Sequence, residues 1–301
     1  MSRIKFVVDS AANFSKEDAL RYDLEVLNII ITVGDIIYRE NIDIGIKEIY
    51  PIIDNDPSQL RTAVLPPEEF LDVYRKITAQ GYDAIVTISP NATTTGMFNS
   101  ANIASRIFAE ECHHKVAMAV IDTGSFSVLI RQGTLAICEY TAKGKTLEEV
   151  LAFAQDYYLR ILGYCVMGSL DHLRRTGRIS GAMYLAGGAL DILPVVRFGD
   201  KNIGQCGKIR GKKKIVPTLM QYLYDEMDLS EHKLIFMHGK EPEYVNEMMA
   251  QVSQRSPEFE LEAMQSVGSI SCFLGTRISG VGFLRKRELV DKDAYITINR
   301  Y

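Results

Sequence analysis

Four short runs rich in valine and isoleucine, Lys5 to Val8, Val26 to Val33, Ala84 to Ile88 and Val116 to Ile121, recur through the first 121 residues. They are near-continuously apolar and do not alternate, the pattern of strands buried on both faces. Amphipathic helices are predicted between them, one starting near Ser15, one at Pro67 to Ala79 with proline suited to the first turn, and one at Asn99 to Glu110. Strand then helix, repeated, constrains this half to a mostly parallel sheet with helices on both faces. Thr146 and Glu149 form a capping box opening a helix to about Arg160. There we place a junction between an N-terminal α/β domain, 1–160, and a C-terminal domain, 161–301.

After Gly163 the pattern changes. Strands are predicted at Tyr164 to Met167, Asp191 to Arg197, Gln205 to Ile209, Lys233 to His238, Phe259 to Met264 and Ala294 to Ile298, with fewer helices per strand. This is the pattern of an α+β domain with a mixed or antiparallel sheet. A chain of 301 residues, 47% hydrophobic and 24% charged, has enough material for two folded domains. A net charge of -4 argues against a general nucleic-acid binder, so the basic run Lys208 to Lys214 acts locally if at all. The five cysteines are scattered, odd in number and never spaced as C-x-x-C, against a disulfide framework or a zinc site. The apolar run before Asp9 is too short for a signal peptide, and no stretch of about eighteen apolar residues exists for a membrane span, which predicts a cytoplasmic protein.

Ligands of open parallel sheets gather at the carboxyl ends of strands, and three such ends here run into hydroxyl-rich loops. Asp9-Ser10 fits a helix cap and a ligand contact equally. Thr62 stands alone before a helix. Ser89 to Ala101 holds Thr93-Thr94-Thr95-Gly96 ahead of a helix N-terminus, which reads either as a plain loop or as an anion site, because free N–H groups and the helix dipole favour negative charge. Asp122-Thr123-Gly124-Ser125 orients neighbouring loops, and no base is placed to make Ser125 or Ser127 a nucleophile. His113-His114 reads as solvated surface, since a metal pair lacks a third ligand. Gly275 to Gly282 has neither the residues of a Walker loop nor the glycine order of a dinucleotide fingerprint. Catalytic residues and metal ligands are therefore not assigned.

The densest polar stretch begins at Ser169-Leu170-Asp171-His172-Leu173-Arg174-Arg175-Thr176-Gly177-Arg178-Ile179-Ser180, with Gly177 as the helix stop, and ends at Ile209 to Lys214. It resembles the second half of the DegV family, whose usual form is a leucine-rich helix ending in Gly-Gly-Arg-Ile-Ser; Thr176 replaces the first of those glycines. The resemblance is collinear over essentially the whole chain. Asp9-Ser10 matches the family's opening Thr-Asp-Ser, Thr62 its Thr-Ser-Gln-Pro-Ser, the Thr95 loop its Ser-Gly-Thr-Tyr-Gln-Ser-Ala, and Asp122 to Ser125 its Asp-Ser-x-x-x-Ser. The resemblance implies one bound long-chain fatty acid, its carboxylate held by hydroxyls of the first domain and its chain buried between domains.

On that resemblance the head group falls to Thr62, Thr95, the Gly96 N–H and Arg210, with Asp9, Ser10 and Ser125 around them. Ile179, Met183, Leu185, Leu190, Ile192 and Phe273 are candidates for the tail. Where family members carry a histidine near the head group, Leu274 or a residue beside it takes that place, which predicts little change of affinity between about pH 6 and 8. Some family members present the acid to a separate ATP-binding kinase that forms an acyl phosphate, and Arg174, Arg175, Arg178 and Lys212 to Lys214 would face that partner or be a solvated basic face. The expected protein is a carrier without a cofactor and not an enzyme by itself. The alternative is a small-substrate phosphotransferase acting at Thr93 to Gly96.

Overall fold

The structure is a computed structural model that describes residues 3–179, 192–291 and 293–301. The chain opens with β1 (Ile4–Asp9), α1 (Lys16–Arg21), β2 (Leu24–Leu27), β3 (Ile30–Val33), β4 (Ile36–Arg39) and α2 (Ile46–Asn55). β5 (Leu60–Ala63), α3 (Pro67–Ala79), β6 (Ala84–Ser89), α4 (Met97–Glu111) and β7 (Ala117–Asp122) follow. Next come α5 (Val128–Thr141), α6 (Leu147–Arg160), β8 (Ile161–Met167), α7 (Asp171–Arg175), β9 (Ile192–Gly199) and β10 (Asn202–Arg210). The remainder is α8 (Ile215–Glu226), β11 (Lys233–His238), α9 (Glu243–Arg255), β12 (Glu260–Gln265), α10 (Gly268–Leu274), β13 (Ile278–Leu284) and β14 (Thr297–Arg300).

The first sheet runs β14-β7-β6-β1-β2, with β7, β6, β1 and β2 parallel to one another and β14 antiparallel to β7. Its apolar runs are continuous because successive residues serve two cores. Phe6, Val8, Val86, Ile88 and Ile121 face α5, α6 and the second sheet, while Val7, Ile85, Met118 and Val120 face α3 and α4. Strand order reverses between β1 and β6, so a crevice opens at their carboxyl ends, where Asp9 and Ser89 stand. The second sheet, β10-β9-β8-β13-β11-β12, is antiparallel except for the β11–β12 pair. One face carries α8 and α9; α5 reaches across to cover the other. The α/β class with a mixed second sheet is thus the observed one. Among the described residues no helix is long and apolar enough to cross a membrane.

Two expectations are corrected, and one helix had not been predicted. Val26 to Val33 is not one strand: it breaks at Asn28-Ile29, where the Ile29 N–H donates to Ser10 Oγ at 2.9 Å and its carbonyl accepts from Glu40 N. Its second half joins a separate three-stranded sheet, β4-β3-β5. The last strand, expected in the second sheet, pairs antiparallel with β7 in the first. Finally, α5 has no clear amphipathic stripe, since Val128 to Thr134 are all buried, and its sequence therefore gave no helical periodicity to read.

Candidate functional site

Between the two sheets lies a cavity with about 1110 Å³ of atom-free space, its mouth included. Its inner floor is built by strand register. One cross-strand row reads Phe198, Gly163, Gly282, Ile235, and the next reads Val196, Cys165, Gly280, Met237. Side chains two residues apart along a strand share a face, so bulky residues on β9 and β11 flank small ones on β8 and β13. The result is an apolar trough along the centre of the sheet. Cys165 is the one ionisable group on this floor among the described residues, and burial pushes its thiol up to about 12, so it acts as a small apolar residue.

The polar end of the cavity is supplied by the other elements. Thr62 comes from β5, Thr94 and Thr95 from the loop ahead of α4, and Phe273 and Leu274 from α10. Arg178 follows α7, stacks over the Phe273 ring at 4.3 Å and donates to the Thr176 carbonyl. Burial pulls its guanidinium below the ordinary value, and it remains a cation at the cavity wall. Gly177 adopts φ 73°, so the helix stop predicted there turns the chain and brings Arg178 inward. Outside this wall is a second hollow bearing Arg61 and Arg175, which shares Thr62, Arg178 and Phe273 with the first. Three guanidinium groups, of Arg61, Arg175 and Arg178, thus gather at this end.

Thr62, Thr95, Phe273 and Leu274, the residues assigned through the family resemblance, all lie in the wall of this cavity. Gly96 sits at the N-terminus of α4 and outside the cavity wall, where its missing side chain leaves room for Val64. Ile179 is buried in the adjoining core without facing the cavity. Ile192 begins β9, while Met183, Leu185 and Leu190 lie outside the described residues. Arg210 is a correction: it ends the edge strand β10, exposed and away from the wall, and Arg178 is the cation found there.

Asp9 and Ser10 lie beneath the cavity, with Ala11 in its wall. Asp9 caps a short turn by accepting from the Ala11 N–H at 3.0 Å. Burial pushes its carboxyl up to about 7, the Ala11 N–H opposes this, and the nearby Glu40 adds to it. Ser10 donates to Glu40 Oε2 at 2.6 Å, and Glu40 accepts the N–H of Ser269 at 2.6 Å and its hydroxyl at 2.8 Å. Glu40, 1% exposed, thus ties the small sheet to α10, and burial raises its carboxyl as well. Asp122 Oδ1 accepts from Ala92 N and Gly124 N and orients both loops as predicted. Ser125 is buried beside them, its hydroxyl without a protein partner.

The glycine floor, Leu129 and Glu40 were missed by sequence reasoning. The i, i+2 spacing of Gly280 and Gly282 in an apolar strand was a usable signal, because it bares one face. No comparable signal marks Glu40, whose partners are 30 and 229 residues away. Among the described residues no group of three or more His, Cys, Asp or Glu is placed to hold a metal ion.

Comparison with known proteins fits this geometry into a family. The model of the DegV family, described as uncharacterised proteins, matches residues 3–286. A DegV domain-containing protein of Caldanaerobacter subterraneus subsp. tengcongensis is 25% identical over 278 residues, covering 92% of this chain and 95% of that protein. Among solved structures, a Thermus thermophilus DegV family protein described by its fatty acid binding superimposes with TM-score 0.84 at 21% identity, covering 94% of this chain and all 100% of the other. A DegV family protein of Ruminococcus gnavus, refined with vaccenic acid, gives 0.83 at 24% identity over 93% and 99% of the two chains. At these identities the likeness is one of fold.

Proposed function

Because this chain belongs to the DegV family, we propose that it binds one long-chain fatty acid between its two sheets and serves as a lipid carrier. The observation that carries the reading is the cavity's polarity: hydroxyls and a half-buried guanidinium at one end, and a trough of glycine and cysteine flanked by Val196, Phe198, Ile235 and Met237 at the other. A carboxylate needs a few donors and modest positive potential, which Thr62, Thr95 and Arg178 supply. An acyl chain needs a dry slot, and each methylene buried there contributes about 0.8 kcal/mol. The fatty acids named with the Thermus and Ruminococcus relatives support this choice of ligand.

We place the division between an N-terminal unit, 1–160, and a C-terminal unit, 161–301, at Arg160-Ile161, with β14 lent back to the first sheet. The second half of the proposal is presentation of the bound acid to a separate kinase, for which the exposed Arg61 and Arg175 beside the mouth offer a basic face. The chain itself supplies no catalytic group in this reading. Native mass spectrometry of protein purified from a bacterial host tests it: a co-purifying fatty acid at near one-to-one amount is expected. Well-folded protein that arrives empty and takes up no fatty acid on incubation overturns the reading.

A further inference from the structure

We infer that Leu129 is the stop that sets the length of acyl chain this protein accepts; the inference rests on the fatty-acid reading and names its specificity determinant. Gly163 and Gly282 face each other in register on β8 and β13 and leave a notch in the trough floor. Leu129, in the first turn of α5, fills it. A methyl added to Gly163 would lie 3.1 Å from Leu129 Cδ1, and one added to Gly282 would collide with Leu129 Cδ2. The Leu129 side chain thus occupies the space that a side chain at Gly282 would need and packs closely against Gly163.

The neighbouring row is different. A methyl added to Gly280 meets as its three nearest atoms only groups of β8, at 3.0 to 3.6 Å, so no α5 side chain is seated over Gly280 as Leu129 is over Gly282. The cavity thus runs open over Cys165 and Gly280 and ends where Leu129 drops into the floor. Phe126 and Phe198, edge to face at 5.8 Å, wall the same row from the side. With the polar groups fixed at the opposite end, the distance from Thr62 and Thr95 to Leu129 is the ruler for the chain.

The test is competition among straight-chain saturated acids of increasing length, read by native mass spectrometry on the full chain stripped of lipid. Leu129→Ala opens the notch by about three carbon atoms of room, and the preferred length should rise by about two to three carbons, with affinity for the original best chain falling several-fold. Leu129→Val removes less and keeps the variant folded if alanine does not; its shift should be about one carbon in the same direction. A profile unmoved in a folded Leu129 variant that still binds acid overturns the stop and leaves the fatty-acid reading standing. Failure of the unsubstituted chain to bind any acid overturns that reading and the inference with it.

Discussion

The two ends of the cavity are built in opposite ways. The polar end is assembled from loops and helix termini, each anchored by backbone hydrogen bonds of its own, as where Asp122 holds residues 92 and 124. The apolar end is assembled from strand register, with no single residue of special chemistry. The first depends on short segments that carry their own signature; the second depends on strand pairings that reach from neighbours such as Cys165 and Val196 to partners as distant in sequence as Gly163 and Gly282. A polar end of this kind loses function one contact at a time, whereas the register-built end changes as a unit.

Glu40 pins the polar end, tying the small sheet to α10, and its removal should produce the largest effect. It is an acceptor for three donors from Ser10 and Ser269, and an alanine there leaves those donors buried and unpaired at a cost of roughly 1 kcal/mol or more each. We expect Glu40→Ala to lose about 4 kcal/mol of stability in urea denaturation. Acid binding should weaken with it, since Ser269, Phe273 and Leu274 all line the wall from α10. A loss below about 1 kcal/mol would show that Glu40 does not hold α10 to the small sheet.

The parts legible in the sequence divide along the same line. Apolar runs gave β1, β6 and β7, and Gly177 gave the helix stop, each a local signal with a local cause. Thr62 and Thr95 came from the family resemblance, since the loops alone left a plain turn and an anion site both open. Beyond the spacing of Gly280 and Gly282, the trough left no mark in the sequence, because its shape is a property of four strands in register. Arg210 was misplaced because charge and motif position say nothing of which side of an edge strand a residue takes. Glu40 reads as an ordinary acidic turn residue until its distant partners are folded against it.

The second prediction uses Asp9, whose carboxyl burial has pushed up to about 7 from an ordinary 3.8. A carboxyl raised in the folded state contributes stability that is whole below about pH 4 and is lost as pH rises through about 7. Asp9→Asn removes that penalty while keeping an acceptor for the Ala11 N–H. The ceiling is about 4 kcal/mol at pH 8, and we expect about 2, because the new amide nitrogen enters a buried site. The gap over the parent chain should close toward pH 4 in thermal melts. A gap constant with pH would show that Asp9 does not titrate in this window.

Next in size are the head-group hydroxyls. Thr62→Val and Thr95→Val keep shape and remove one donor each, and each should weaken acid binding by about 1.5 kcal/mol without moving the preferred chain length. Both lie in the cavity wall and leave the Glu40 network untouched. Calorimetric titration with a single saturated acid reads the effect. A change of length preference in either variant would mean that the two ends are not separable.

The smallest effect concerns Leu274, which is 6% exposed and lines the wall beside Phe273. An imidazole at this position would sit near the carboxylate that Thr62, Thr95 and Arg178 hold. Bound acid favours the protonated ring, while burial and the positive charge of Arg178 disfavour it, so the two terms largely cancel. Leu274→His should therefore gain only about 0.5 kcal/mol in affinity, on the scale of a weak ion pair. The sign fixes the window: the imidazole's folded value is raised in the complex relative to the free protein, so the gain is present below about pH 6 and is lost as pH rises through about 7. Affinity measured at pH 5.5 and pH 8 in parent and variant isolates the term, because Asp9 contributes equally to both. An affinity ratio between variant and parent that stays flat across that range would place the carboxylate beyond reach of residue 274, and with it would move the head group away from α10 toward the loop of Thr94 and Thr95.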